Sequence, residues 1–146
     1  MLWRCVLSLL ALSAPLAGCV TSETTVAGQT VPVAETQPVL TVTVLGSGTP
    51  VASATQFGSA ILVEAGEHRL MFDCGRGCTT RLAQLDTLLV PKVDRLFLSH
   101  LHSDHTTGID DLWINGWVLG RAKPLAIWGP EGTAQMMAHM RRVYDR

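Results

Sequence analysis

Three imidazoles and one carboxylate fall within six residues of this chain: His100, His102, Asp104 and His105. Imidazole nitrogen and carboxylate oxygen are the donors that zinc and its first-row neighbours take. Alternate residues of an extended segment point the same way. His100 and His102 are therefore expected to converge on one ion. Asp104 and His105, neighbours at the turn into the next helix, can serve a second ion beside it. The plain alternative is a solvated polar loop, but four ligand-type side chains at this spacing favour metal.

The elements around the cluster must hold it at one rim. Leu96-Phe97-Leu98 precedes it directly and reads as a buried strand, taken here as Arg95 to Ser99. Open α/β sheets place their chemistry at such carboxyl ends. Leu40 to Leu45 alternates Thr with apolar residues and predicts a first or edge strand. Ser59 to Ala65 and His68 to Phe72 predict a hairpin around Gly66-Glu67. Thr79 to Leu89 carries Leu82, Leu85 and Leu89 at helical spacing. Thr106 or Thr107 is expected to cap the helix after the cluster, with Asp110 and Asp111 in its first turn, where the helix dipole favours anions. That helix should bury Ile109, Leu112, Trp113, Gly116 and Leu119. Trp113 and Trp117 are both expected in the core rather than lining a pocket. Leu125 to Trp128 reads as a strand and Gly132 to Tyr144 as a helix. Strands followed by alternating strand and helix fit an α/β sandwich.

His100-x-His102-x-Asp104-His105 resembles the signature of the metallo-β-lactamase superfamily. Leu45-Gly46-Ser47-Gly48-Thr49-Pro50 resembles the first glycine turn of its ribonuclease Z and arylsulfatase-like branch. Phe72-Asp73-Cys74-Gly75-Arg76-Gly77 resembles that branch's acidic-glycine motif. Asp111-Leu112-Trp113 and Gly129-Pro130-Glu131-Gly132-Thr133 are similar to it too. The likeness runs from about Leu40 to Arg146.

The resemblance implies an αββα sandwich built from two similar halves, of which this chain carries only the first. No later segment repeats the strand–ligand–helix pattern, so a truncated reading frame, or a self-association that completes the sandwich, is expected. It also implies two zinc ions (manganese or iron as alternatives) about 3.5–4 Å apart. His100 and His102 would hold the first, Asp104 and His105 the second, and Asp104 would also orient or deprotonate the nucleophile. Asp73 is assigned to bonding ligand or loop groups from behind, against a plain turn or cap role. The remaining ligands of the intact family have no counterpart here. His139 and His68 read as surface and structural residues. The Gly46-Ser47-Gly48 loop can cradle an anion with its amides, but a simple tight turn is the expected role.

The first 18 residues stand apart from the fold. Val6 to Ala14 is an apolar run of signal-peptide length, too short to span a bilayer. Leu16-Ala17-Gly18-Cys19 resembles a bacterial lipobox, which implies lipid attachment at Cys19. Two or more acyl chains anchor stably. Residues 19–39, rich in Thr, Val, Ala and Pro, read as a flexible tether, with the folded domain at 40–146. Localisation would be at a bacterial membrane, facing the periplasm or exterior. Loss of residues 1–18 removes one charge, Arg4, and moves the net charge from −1 to −2. This is no basic nucleic-acid surface, so a small-molecule ester is the expected substrate. Cys74 and Cys78 would remain, free to form a small-loop disulfide or to pack as thiols.

The implied function is a metal-dependent hydrolase that cleaves a phosphodiester or sulfate ester with a metal-bound hydroxide. A metallo-β-lactamase proper and an inactive lipoprotein remnant are the alternatives.

Overall fold

The computed structural model describes residues 40–144, with the backbone of Thr25–Val26 and Gln29–Thr30. The proposed signal at 1–18, Cys19 and most of the tether lie outside the described residues. The chain divides into two compact units, Met1–Gln37 and Pro38–Arg146. In the first, β1 (Thr25–Val26) pairs antiparallel with β2 (Gln29–Thr30). A flexible tether was expected over this stretch; Thr and Val favour extended backbone, and these residues form a short ladder within it.

The second unit holds a five-stranded sheet: β3 (Leu40–Gly46), β4 (Ala60–Ala65), β5 (His68–Phe72), β6 (Arg95–Phe97) and β7 (Ala126–Trp128), side by side in chain order. The first three pair antiparallel and the last three parallel. Parallel neighbours need crossovers, usually helical. These are supplied by α1 (Cys78–Leu85) between β5 and β6, and by α2 (Ser103–Thr106) and α3 (Ile109–Val118) between β6 and β7; α4 (Thr133–Tyr144) follows.

Alternation decides which face is buried. Leu45, Ala60, Leu62, Met71 and Leu96 point to one side and pack on Leu82 of α1 and on Ile109 and Leu112 of α3. Val44, Ile61, Phe72, Phe97 and Trp128 form one cross-strand row on the other side. Phe72, Phe97 and Trp128 stack along it, with ring centroids 5.1 and 5.0 Å apart. Leu40, Val42, Val44, Phe72 and Trp128 are exposed. The described residues thus form one helical layer on one sheet, which is the first half of the expected αββα sandwich. Among them no helix is long and apolar enough to cross a membrane.

Several local expectations are corrected. The helix expected to reach Leu89 stops at Leu85. Asp86 takes an extended backbone, and its carboxylate accepts from the Leu88 N–H to open a 3₁₀ turn over Thr87–Lys92. Neither Thr106 nor Thr107 caps α3. Gly108 holds that position, and the Thr106 hydroxyl donates to the His102 carbonyl at 3.0 Å. Trp117 is 74% exposed, because it lies a residue beyond the buried Gly116 and faces away from the sheet. Leu119 is also exposed. The guanidinium of Arg121 covers that end of α3 instead, donating to the carbonyls of Leu112, Trp113, Val90 and Val93. Burial lowers the Arg121 pKa, and Asp94 partly offsets this. Cys74 and Cys78, both fully buried, are joined as a disulfide.

Candidate metal centre

The rim begins where β6 ends. His100 follows the end of β6, and His102 takes extended backbone, φ −65° and ψ 153°, as the N-cap of α2. Asp104 and His105 lie inside that single turn. His100 Nε2 and His102 Nδ1 stand 3.1 Å apart, and His105 Nε2 and Asp104 Oδ2 stand 3.6 Å apart. Two nitrogens bound to one tetrahedral zinc at their usual length are about 3.3 Å apart. Both separations fit donors that share an ion. The His100 and His105 rings lie 4.0 Å apart, so the two pairs are neighbours. Among the described residues no group of three or more His, Cys, Asp or Glu surrounds a single point. An ion held here would take two donors from this set and others from outside it. His68 is exposed and lies within 3.1 Å of an Arg95 guanidinium nitrogen, and His139 lies exposed on α4; neither joins the cluster.

Asp73 stands behind the cluster and is 8% exposed. His105 Nδ1 lies 2.8 Å from its Oδ2, which leaves Nε2 turned to Asp104. Histidine ligands are commonly oriented through their second nitrogen in this way. Asp73 also has φ +56°, and among the described residues it is alone in this outside glycine. Such backbone costs on the order of 1–3 kcal/mol and collects at functional sites. The Asp73 N–H donates to the Phe97 carbonyl at 2.8 Å, and Oδ1 accepts from the Ser99 N–H at 2.8 Å. The turn is thereby held at both ends.

Ser99 was not singled out by its sequence. Its hydroxyl oxygen is 2.8 and 3.0 Å from the two Asp73 oxygens, 3.0 Å from His100 Nδ1 and 3.4 Å from His105 Nδ1. The available signal was its place at the strand's last step, one residue before the first ligand.

The glycines have a packing role. Ser59 N–H donates to the Asp104 carbonyl at 2.9 Å, Gly75 N–H to Ser59, Cys74 N–H to the His105 carbonyl, and Gly108 N–H to Cys74. A Cβ on Gly75 would collide with the Asp104 carbonyl and with Gly58. Gly46 and Gly48 likewise lie against the Phe57–Gly58 backbone, and Gly48 N–H donates to Phe57 at 2.6 Å. These contacts hold the tight turn expected there against the Phe57–Gly58 backbone, and they take up the Gly48 N–H.

A sheet with helices on one face and a histidine–aspartate rim at its edge is what the first half of a metallo-β-lactamase fold presents. The model of the family described as Anti-Pycsar protein Apyc1 matches residues 40–139, and the chain belongs to that family. It is 41% identical over 107 residues to a ribonuclease Z of Mycobacterium sp. (strain KMS), covering 72% of this chain and 37% of that protein. A ribonuclease Z of Mycolicibacterium gilvum (strain PYR-GCK) is 38% identical over 107 residues, covering 71% and 37%. The human tRNase Z short form aligns with TM-score 0.62 and 29% identity, covering 70% of this chain and 39% of that one. YhfI of Bacillus subtilis, a metallo-β-lactamase-fold protein, aligns with TM-score 0.59 and 28% identity, covering 68% and 42%. The chain spans a little over a third of the length of the curated relatives it matches.

Proposed function

We propose that this chain carries ion-binding residues of a metal-dependent phosphodiester hydrolase. The observation that supports this is the pairing of donors at the rim, His100 with His102 and Asp104 with His105. Two ions, when bound, would lower the pKa of water and offset the charge on a phosphoryl group. The chain's own residues would do the positioning. His100 and His102 present nitrogen to one ion. Asp104 and His105 would present oxygen and nitrogen to its neighbour, and the partly buried Asp104 carboxylate would also orient a water. Asp73 holds His105 from behind. Zinc is the first choice for such a nitrogen-rich set, with manganese or iron as substitutes. A phosphodiester is preferred to a sulfate ester because the relatives cited above are named ribonuclease Z.

The test is metal content and turnover of the full chain. Close to two zinc ions per chain, with hydrolysis of bis(p-nitrophenyl) phosphate that His102→Ala abolishes, is the expected result. Turnover of p-nitrophenyl sulfate or nitrocefin alone would assign a different substrate. Zinc lost on dialysis, with no turnover of any of the three, would remove the proposal.

The proposal includes a lipid anchor at Cys19, on the strength of Leu16-Ala17-Gly18-Cys19 after an apolar run. Cys19→Ser should move the expressed chain from the membrane fraction to the soluble one. An unchanged distribution would count against the anchor.

A further inference from the structure

We infer that Ser99 is a positioning residue whose single hydroxyl sets which nitrogen of His100 is free to bind. The inference rests on the metal-site reading above and deepens it. A serine hydroxyl has one proton to donate and lone pairs to accept with, and an ionised carboxylate only accepts. Ser99 Oγ lies 2.8 Å from Asp73 Oδ2 and 3.0 Å from Oδ1, so its proton goes to Asp73. Toward His100 Nδ1, at 3.0 Å, the same oxygen can then only accept. His100 Nδ1 must therefore carry the hydrogen. The lone pair is left on Nε2, the atom that faces His102 Nδ1 at 3.1 Å.

Asp73 completes the arrangement on the other side. Its Oδ2 accepts from His105 Nδ1 at 2.8 Å, which places the His105 lone pair on Nε2, facing Asp104. The Ser99 oxygen also lies 3.4 Å from His105 Nδ1, a longer contact than that ring's bond to Asp73. One carboxylate and one hydroxyl thus orient one histidine of each donor pair. The neighbouring positions are tied together with no ligand in common. The Ser99 N–H, donating to Asp73 Oδ1 at 2.8 Å, holds the node to the end of β6.

Removing the hydroxyl leaves the Asp73–His105 bond in place and takes away the acceptor for the His100 Nδ1 hydrogen. Histidine-directed 15N NMR on the full, metal-free chain, at a pH where the rings are neutral, reads the tautomers directly. The wild-type chain should show hydrogen on Nδ1 of both His100 and His105. In Ser99→Ala, His100 should gain the Nε2–H form while His105 keeps Nδ1–H. Ser99→Thr, which restores a hydroxyl, should restore His100. Zinc affinity, measured against a competing chelator, should fall about 10–100-fold in Ser99→Ala and recover in Ser99→Thr. A wild-type His100 with hydrogen on Nε2 would overturn the inference without any variant. So would an unchanged His100 tautomer in folded Ser99→Ala. If the wild-type tautomers are as stated but the chain binds no zinc, the metal reading fails while the role of Ser99 in setting the tautomer stands.

Discussion

Asp73 is the residue on which the rim's orientation turns. It accepts from Ser99 and His105 and sits in left-handed backbone. Asparagine tolerates that backbone nearly as well as aspartate. Asp73→Asn therefore separates the carboxylate's role from the turn's geometry. The expected outcome is a fall of about 10–100-fold in zinc affinity with little change in the thermal midpoint. Equal loss of both would show that the carboxylate mainly holds the turn. The four candidate donors were singled out by their types and spacing, because alternate residues of extended backbone share a side. Ser99 was not legible. Its place beside Asp73 appears only when the turn 26 residues upstream is folded against it.

The loops that hold the rim work by close approach of backbone. Asp104 O, Ser59, Gly58 and Gly75 meet where no side chain fits. Gly75→Ala should destabilise the fold by about 2–4 kcal/mol, in the range of severe steric substitutions, and denaturant titration measures it. The Phe72–Gly77 motif was recognised for its acidic residue, but the partner that makes its glycine necessary, Gly58, carried no mark of its own. Helix ends were similarly half legible. Apolar spacing found α1 and α3, whereas Asp86 and Gly108, which set their limits, act through local turns.

At this same scale α4 is tied to α3 by the Tyr144 hydroxyl, which donates to Asp110 Oδ2 at 2.9 Å, and by the edge contact of its ring with Trp113. The bond to Asp110 raises the Tyr144 pKa above the ordinary phenol value, with smaller contributions from burial and from the charges of Asp110 and Asp111. A raised pKa means the fold favours the neutral phenol. Its contribution is fully present below the unfolded value and is lost as pH rises through the folded one. Tyr144 is the only tyrosine in the chain, so absorbance at the phenolate band reports it alone. The midpoint should lie above the ordinary value in the wild type and move down in Asp110→Ala. A midpoint that does not move would mean that α4 is not docked through this bond.

Over the whole molecule, the sheet has two apolar faces and the helices cover one. The second carries Val42, Val44, Phe72 and Trp128 at 57%, 58%, 40% and 48% exposure, continuous across the five strands. Contiguous exposed apolar surface of this kind drives association, and open sheet edges add to it. The chain as given should sediment as more than a monomer and bind a hydrophobic dye. Val42→Lys with Val44→Lys should reduce both while the inner core is kept. A dye-negative monomer would show that the face is covered. The disulfide between Cys74 and Cys78 belongs to this scale too, since the alternative of two packed thiols was equally open in the sequence.

Residue type and spacing alone marked the candidate donors, the strand before them and the hairpin before that, and the resemblance of the motifs pointed to the superfamily. Each of these is local, because a period of two or of 3.6 residues says which side a residue faces. Tertiary structure alone decided that Ser99 joins Asp73 behind the candidate donors. Asp73 meets Ser99 and His105 across 26 and 32 residues of chain, and Arg121 rather than Leu119 covers the end of α3. Hydrogen bonds and close backbone contacts between distant segments leave no period to read, and only the folded chain brings their partners together.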